Sequence, residues 1–358
     1  MELKYKPDFE RARDVWNHYW EGEIIKRPVV VAEAIKNGKT AKNPLRSNYY
    51  NAITKNYDQQ LKLIDEWFES LEYMAESIPY FSPDHGPDQF AAFLGAKLDY
   101  SKESSETTWV ESFVKDWKEV LPMSISDDNE VWKSITDYAK ILKDHSRGKY
   151  LVGICDFHSN IDTLCALRKP EEVCMDFYDY PEVMDTVFLE VRKLYRKVYD
   201  KLYEASGMNS ETGSIGWVPF WCEGRFATLQ ADFIAVISPE MSRRYVIPAL
   251  EEEAETVDRC AYHLDGPDAL RHMDDILSIK KIDVIQWVSG AGSAPQYEWI
   301  DVFKKCQAAG KGLMIIGVNL PEIKRLHKEL KPEGIVYCVD TDDKAEIEEI
   351  ITWLEKNT

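Results

Sequence analysis

The chain has 358 residues, 44% of them apolar and 30% charged, with a formal net charge of −19 at neutral pH. That balance supports a sizeable core and argues against disorder. So acidic a chain is also a poor fit to nucleic acid or an anionic membrane, because neutralising phosphate needs a basic footprint. The N-terminal MELKYKPDFERARDVW lacks a signal-peptide pattern, and no apolar run reaches the length of a membrane span. The seven cysteines form no CxxC pair and read as reduced thiols. A soluble, cytoplasmic protein is expected.

In chain order, Phe9 to Tyr19 sets Trp16 and Tyr19 among charges and reads as helix, and RPVVVAEAI (27–35) is a β-rich run. LKLIDEWFESLEYMAES (61–77) spaces its apolar residues as a helix does. PYFSPDHGPDQFAAFLG (79–95) opens with turn chemistry and ends in a short helical pattern. From about residue 149 the pattern becomes regular. Strand-like runs are KYLVGICDF (149–157), GSIGWVPFW (213–221), RCAYHLD (259–265), KIDVIQWV (281–288), KGLMIIGV (311–318) and EGIVYCVD (333–340).

Helical stretches separate these runs, among them PEEVCMDFYDYPEVMDTVFLEVRKLYRKVYDKLYEAS, and DKAEIEEIITWLEKN closes the chain. The acidic EEEAETVD (251–258) reads as a solvated helix face. Alternation of strand and helix predicts βα units around a parallel sheet, and continuous apolar strands predict that both faces are covered. No GxGxxG opens a βα turn, so an open dinucleotide-binding sheet is the weaker choice. With 28–34 and one or two runs around 78–110, eight strands are reachable. The expectation is one α/β domain over 1–358, a (β/α)8 TIM barrel whose first 80 residues are mostly a helical extension plus the first strand.

Such barrels carry chemistry at the C-terminal ends of their strands. Those ends supply Asp156 and His158, then Trp221 and Glu223, then His263 and Asp265, then Trp287 and Cys338. Residues i and i+2 on a strand share a face, so His263 and Asp265 are expected to aim together into the mouth, with Gly266 turning the chain away. An imidazole, a carboxylate and the Cys338 thiolate would make three protein ligands for zinc, with a fourth position for substrate or for Glu223. The plainer reading is a hydrogen-bonded His–Asp pair. Trp217, Trp221, Tyr262 and Trp287 are candidates to stack on a flat ligand, although barrel cores use aromatics too. His158 is a candidate to line the same pocket. Asp232 ranks below these.

ADFIAVISPEMSRRYVIPALEEEAETVD, the HLDG strand and DVIQWVSGAG resemble the uroporphyrinogen decarboxylase superfamily, as do GICDFHSNIDTLCALRKPEEVCMDFYDYPEVMDTV and GPDQFAAFLGAKLDY with TTWV (107–110). The resemblance independently implies a (β/α)8 barrel. No RQAGRY-like segment stands near the N-terminus, so decarboxylation of a tetrapyrrole is disfavoured. The resemblance is closest to the branch of zinc methyltransferases that exchange methyl groups between a corrinoid protein and a thiol. Their fingerprint is His-x-Cys-Gly with a later cysteine. His263 and Gly266 match it and Cys338 stands for the later cysteine, but Asp265 replaces the first thiolate.

The implied function is metal-activated methyl transfer, with His263, Asp265, Cys338 and Glu223 around zinc and a corrinoid protein as partner. Asp265 is either a ligand or the group that orients His263. The alternative is a decarboxylase or lyase acting on a carboxylated small molecule. In that case Arg225 would grip the carboxylate, and Asp156 or Asp265 would handle protons.

Overall fold

The computed structural model describes residues 1–40, 42–100, 107–290 and 292–358, apart from the side chains at 46 and 47. Residue 291, in the DVIQWVSGAG stretch quoted above, and residues 101–106, within the span 78–110, lie outside the described residues. The strands are β1 (Val29–Ile35), β2 (Leu71–Ala75), β3 (Tyr80–Phe81), β4 (Lys97–Tyr100), β5 (Thr108–Glu111), β6 (Leu151–Val152) and β7 (Ser214–Ile215). They continue as β8 (Trp221–Cys222), β9 (Phe226–Leu229), β10 (Arg259–Asp265), β11 (Val284–Val288), β12 (Gly312–Val318) and β13 (Ile335–Val339).

Seven of them form one sheet in the order β2-β1-β13-β12-β11-β10-β9. Its pairings are parallel except for β1 with β2. Pairing of β1 with the last strand, β13, curls the sheet back on itself. A second, shorter arc consists of β3 paired with β6 and a parallel bridge from Ile154 to Gly216. The two arcs abut. A Cβ built on Gly216 would stand 3.0 Å from the Phe226 ring, so the glycine lets this backbone approach β9 closely. At the other seam Glu76 N donates to Val30 O, and Ala32 N donates to Ser77 Oγ. Among the described residues no continuous ladder closes the ring, and the architecture is a mixed α/β, barrel-like fold.

Two apolar layers fill it. Val29, Ala261, Val284, Met314 and Val336 pack inside the curled sheet. Val30, Tyr262, Ile285, Ile315 and Tyr337 face the surrounding helices. The N-terminal end of the strands is sealed by the helix Phe9–Trp20, whose buried residues Phe9, Ala12, Val15, Trp16 and Tyr19 repeat at helical spacing. Trp16 Nε1 donates to Glu76 O at 3.0 Å and Trp20 Nε1 to Trp221 O at 2.8 Å, which fixes this plug to the sheet. No helix is long and apolar enough to cross a membrane.

Several expectations change. The helical pattern of 61–77 stops at Ser70, and Leu71–Ala75 turns into β2, because the free edge of β1 offers five paired positions. Tertiary pairing here outweighs local periodicity. The run 213–221 is a tight hairpin of β7 and β8 rather than one strand. The buried FATL segment is a strand, β9, that the apolar pattern missed. The long helical stretch breaks into Pro170–Asp179 and Pro181–Ser206, since Pro181 has no N–H for the ladder. EEEAETVD is not all solvated, for Glu253 is buried.

Candidate active site

Strand alternation decides which side chains enter the mouth. On β10, Cys260, Tyr262 and Leu264 face the helices while Ala261 faces inward, so His263 and Asp265 continue the inner face. The same alternation places Glu33 after Val29 and Val31, Gln286 after Val284, Cys338 after Val336, and Thr228 and Gln230 after Phe226. The buried strand interior therefore gives way to a polar rim at the C-terminal ends. A cavity of about 630 Å³ opens there, lined by Val31, Glu33, Pro219, Met314, Cys338 and Asp340.

His263 Nδ1 lies 2.6 Å from Gln286 Oε1, and Gln286 Nε2 is turned to Met314 Sδ at 3.4 Å. This orientation of the amide makes Nδ1–H the donor and leaves Nε2 as the basic nitrogen. The Trp217 ring stands edge-on to the imidazole, with centroids 5.3 Å apart. Trp217 itself is anchored by Tyr80, whose hydroxyl donates to its carbonyl at 2.7 Å.

Beside this pair lies a group of acids. The segment after β6 carries Asp156, with Oδ2 3.3 Å from His158 Nε2. Asp162, in the first turn of the helix Asn160–Arg168, accepts from the backbone N–H groups of Asp232 (2.9 Å) and Phe233 (2.8 Å). It thereby ties the segment after β6 to the segment after β9. Below it, Glu253 accepts from Ser159 Oγ at 2.8 Å and Asn160 Nδ2 at 3.2 Å. Asp84 accepts from Gly86 N and from Gln89 Nε2, which also donates to Asp156 O.

The electrostatics follow from burial, with histidines as the opposing groups. Burial pushes the Asp84 carboxyl up to about 7, Asp162 to about 6 with help from Asp232, and Glu33 to about 7. Asp232 is raised chiefly by burial, against the pull of His158 and His263. Burial alone would lower His158, but Asp156, Asp162 and Asp232 outweigh it and lift it to about 10. No lysine or arginine figures among the groups that shift these acids.

The predicted residues divide cleanly. Asp156, His158, Trp217, His263 and Asp265 gather at the C-terminal end. Cys338 points inward too, but its neighbours are Glu33 and Tyr80, and burial with the Glu33 charge pushes its thiol up to about 12. Glu223 and Arg225 are at the opposite end, because the β7–β8 hairpin carries the chain back. Arg225 N donates to Asp258 Oδ2 just before β10 begins. The Arg225 guanidinium pairs with Asp200 at 2.5 Å and lies over Tyr203. Trp221 is buried beneath the helix plug against Phe9. Tyr262 and Trp287 face the helices, with Trp287 edge-on to Trp299 at 5.0 Å. Trp221, Tyr262, Trp287 and Arg225 therefore cannot line a ligand at the mouth.

The zinc set does not fit as one ligand sphere. Glu223 is at the wrong end, and His263, Asp265 and Cys338 do not bring three ligand atoms together. Among the described residues the trio whose ligand atoms lie within 4.8 Å of one another is His158, Asp162 and Asp232. Reasoning from strand ends passed over Asp84, Glu33 and Gln286. Gln286 had a readable signal, a lone polar residue at an inward position of an apolar strand. Asp162 was hidden inside a helix.

No protein-family profile and no curated protein matches the chain in sequence. Among solved structures, it is similar to a methyltransferase from Methanosarcina mazei, at 10% identity and a TM-score of 0.62, over 96% of this chain and 98% of that one. It also aligns with a B12-independent methionine synthase from Shewanella sp. W3-18-1, at 13% identity and a TM-score of 0.44, over 92% and 94% of the two chains. The first likeness extends to the whole fold.

Proposed function

We propose that the two arcs form a (β/α)8 barrel and that the protein is a methyl-transfer enzyme working at its C-terminal mouth. The methyl donor is a corrinoid carried by a partner protein and the acceptor a small thiol. The fold shared with a methyltransferase supports the reaction class. The observation that carries the reading is His263, held by Gln286 with Nε2 left basic, beside Trp217 at the strand ends.

In this reading Nε2 takes the proton of the acceptor's S–H. The sulfur lone pair forms the new bond to the methyl carbon, and the donor leaves with the electron pair of the broken bond. Trp217 walls the imidazole on one side and limits water at the base. No step is assigned to zinc, since the expected ligands do not converge.

The decarboxylase reading is weaker. A carboxylated substrate would enter among Asp84, Asp156, Asp162 and Asp232, where histidine and no lysine or arginine figures among the groups that act on the acids, and Arg225 is at the other end. The test is incubation with methylcobalamin and a panel of small thiols, with thioether products read by mass spectrometry. Methyl thioether formed by the wild type and lost in His263→Ala supports the proposal. No thioether, with carbon dioxide released from a panel of carboxylates, overturns it.

A further inference from the structure

We propose that His158, Asp162 and Asp232 form a divalent-cation site at the mouth. Their ligand atoms already lie within 4.8 Å of one another, with the side chains partly buried. Two separate segments supply them, and the link between those segments is Asp162 itself, through its bonds to the backbone of Asp232 and Phe233. Both carboxylate oxygens of Asp162 are thus oriented while each keeps a further lone pair for a metal. Asp156, 3.3 Å from His158 Nε2, supplies the carboxylate neighbour that ligating histidines generally keep.

Orphaned polar atoms point the same way. Asp156 Oδ1 and Asp232 Oδ1 are buried with no hydrogen-bond partner. Gln230, just past the end of β9 and two residues before Asp232, is 1% exposed, and its Oε1 is also without a partner. Buried polar atoms left unpaired in a folded protein call for a bound water or ion. Three carboxylates, Asp156, Asp162 and Asp232, face one imidazole, and a divalent cation that displaces the imidazole proton would offset the excess of acids. A cation answers both features at once.

The donor set is one imidazole and two carboxylates, harder than a thiolate site. It suits Mn²⁺ or Zn²⁺ over the soft monovalent metals. The site stands apart from the reaction class, so its test is binding rather than turnover.

The full-length chain is stripped with chelator, dialysed and titrated with Mn²⁺, with free ion followed by electron paramagnetic resonance. Zinc content of untreated protein is measured in parallel by elemental analysis. About one ion per chain is expected for the wild type, His263→Ala and Cys338→Ser. In Asp232→Asn, which keeps shape and volume, affinity falls at least about tenfold, while circular dichroism shows the fold retained. If Asp232→Asn does not fold, Asp156→Asn takes its place, with a loss of about 10- to 100-fold expected. Absence of binding by the wild type at millimolar ion overturns the site. So does loss of the ion in His263→Ala with retention in Asp232→Asn or Asp156→Asn. Failure of methyl transfer alone leaves these outcomes unchanged.

Discussion

Glu76 and Asp162 are both buried carboxylates, one at each end of the strands, and their proton affinities move in opposite directions. Glu76 accepts from Arg27 at 2.6 and 3.1 Å, from Arg11 at 2.9 Å and from Val30 N at 3.0 Å. Burial acts to raise it, but the guanidinium groups win and it falls below the ordinary range. For Asp162, burial and then the Asp232 carboxylate outweigh one imidazole and two backbone donors, and it rises to about 6. The contrast separates acids compensated by guanidinium groups from acids that burial and like charge push up. At the N-terminal end charge is neutralised internally, and Trp16, Tyr19, Trp20 and Phe220 pack ring against ring. At the C-terminal end Asp156, Asp162 and Asp232 have histidines and backbone N–H groups near them in place of guanidinium groups.

The contrast breaks most readily at Glu76. Glu76→Ala strands Arg27 in the interior and is expected to cost about 3–5 kcal/mol in urea unfolding. A cost under 1 kcal/mol would mean that this end is not held by its charges. At the mouth, His263→Ala is expected to lower kcat/KM for methyl transfer by about 10²–10⁴ while leaving the melting temperature nearly unchanged.

Glu253 sharpens the comparison through pH. Burial pushes its carboxyl up to about 8, so in the native state it stays protonated where the unfolded chain has already ionised. Its contribution is intact at low pH and is lost as pH rises toward 8. Glu253→Gln keeps an oxygen for Ser159 and Asn160 without the ionisation. Its stability should therefore gain on the wild type between pH 5 and 8, by about 2–4 kcal/mol. Parallel curves for the two proteins would show that Glu253 is not protonated in the fold. The smallest effect is expected at Arg225, a partly exposed ion pair. Arg225→Ala should cost no more than about 1 kcal/mol and leave turnover untouched.

How much of this was legible in the chain depends on what each segment reports locally. RCAYHLD reads as a strand because its pattern is set by burial on both faces, and β10 spans those same residues. From that, the shared inward face of His263 and Asp265 followed by simple alternation. Arg225 misled because a nine-residue run was taken as one rising strand, whereas the chain doubles back within it. Direction along the barrel axis is a tertiary property that apolar pattern does not carry. Glu253 looked like one of several solvated glutamates, and only the register of its helix against Ser159 and Asn160 buries it. Asp162 and Asp232 lie 70 positions apart on segments that join through backbone bonds, so their meeting has no sequence signal.

The most direct test compares His263→Ala and Arg225→Ala side by side in methyl transfer from methylcobalamin to a thiol. Loss of turnover in the first with wild-type rates in the second places the chemistry at the C-terminal mouth, as proposed. Wild-type rates in His263→Ala with loss in Arg225→Ala would put the active site at the other end and contradict this account.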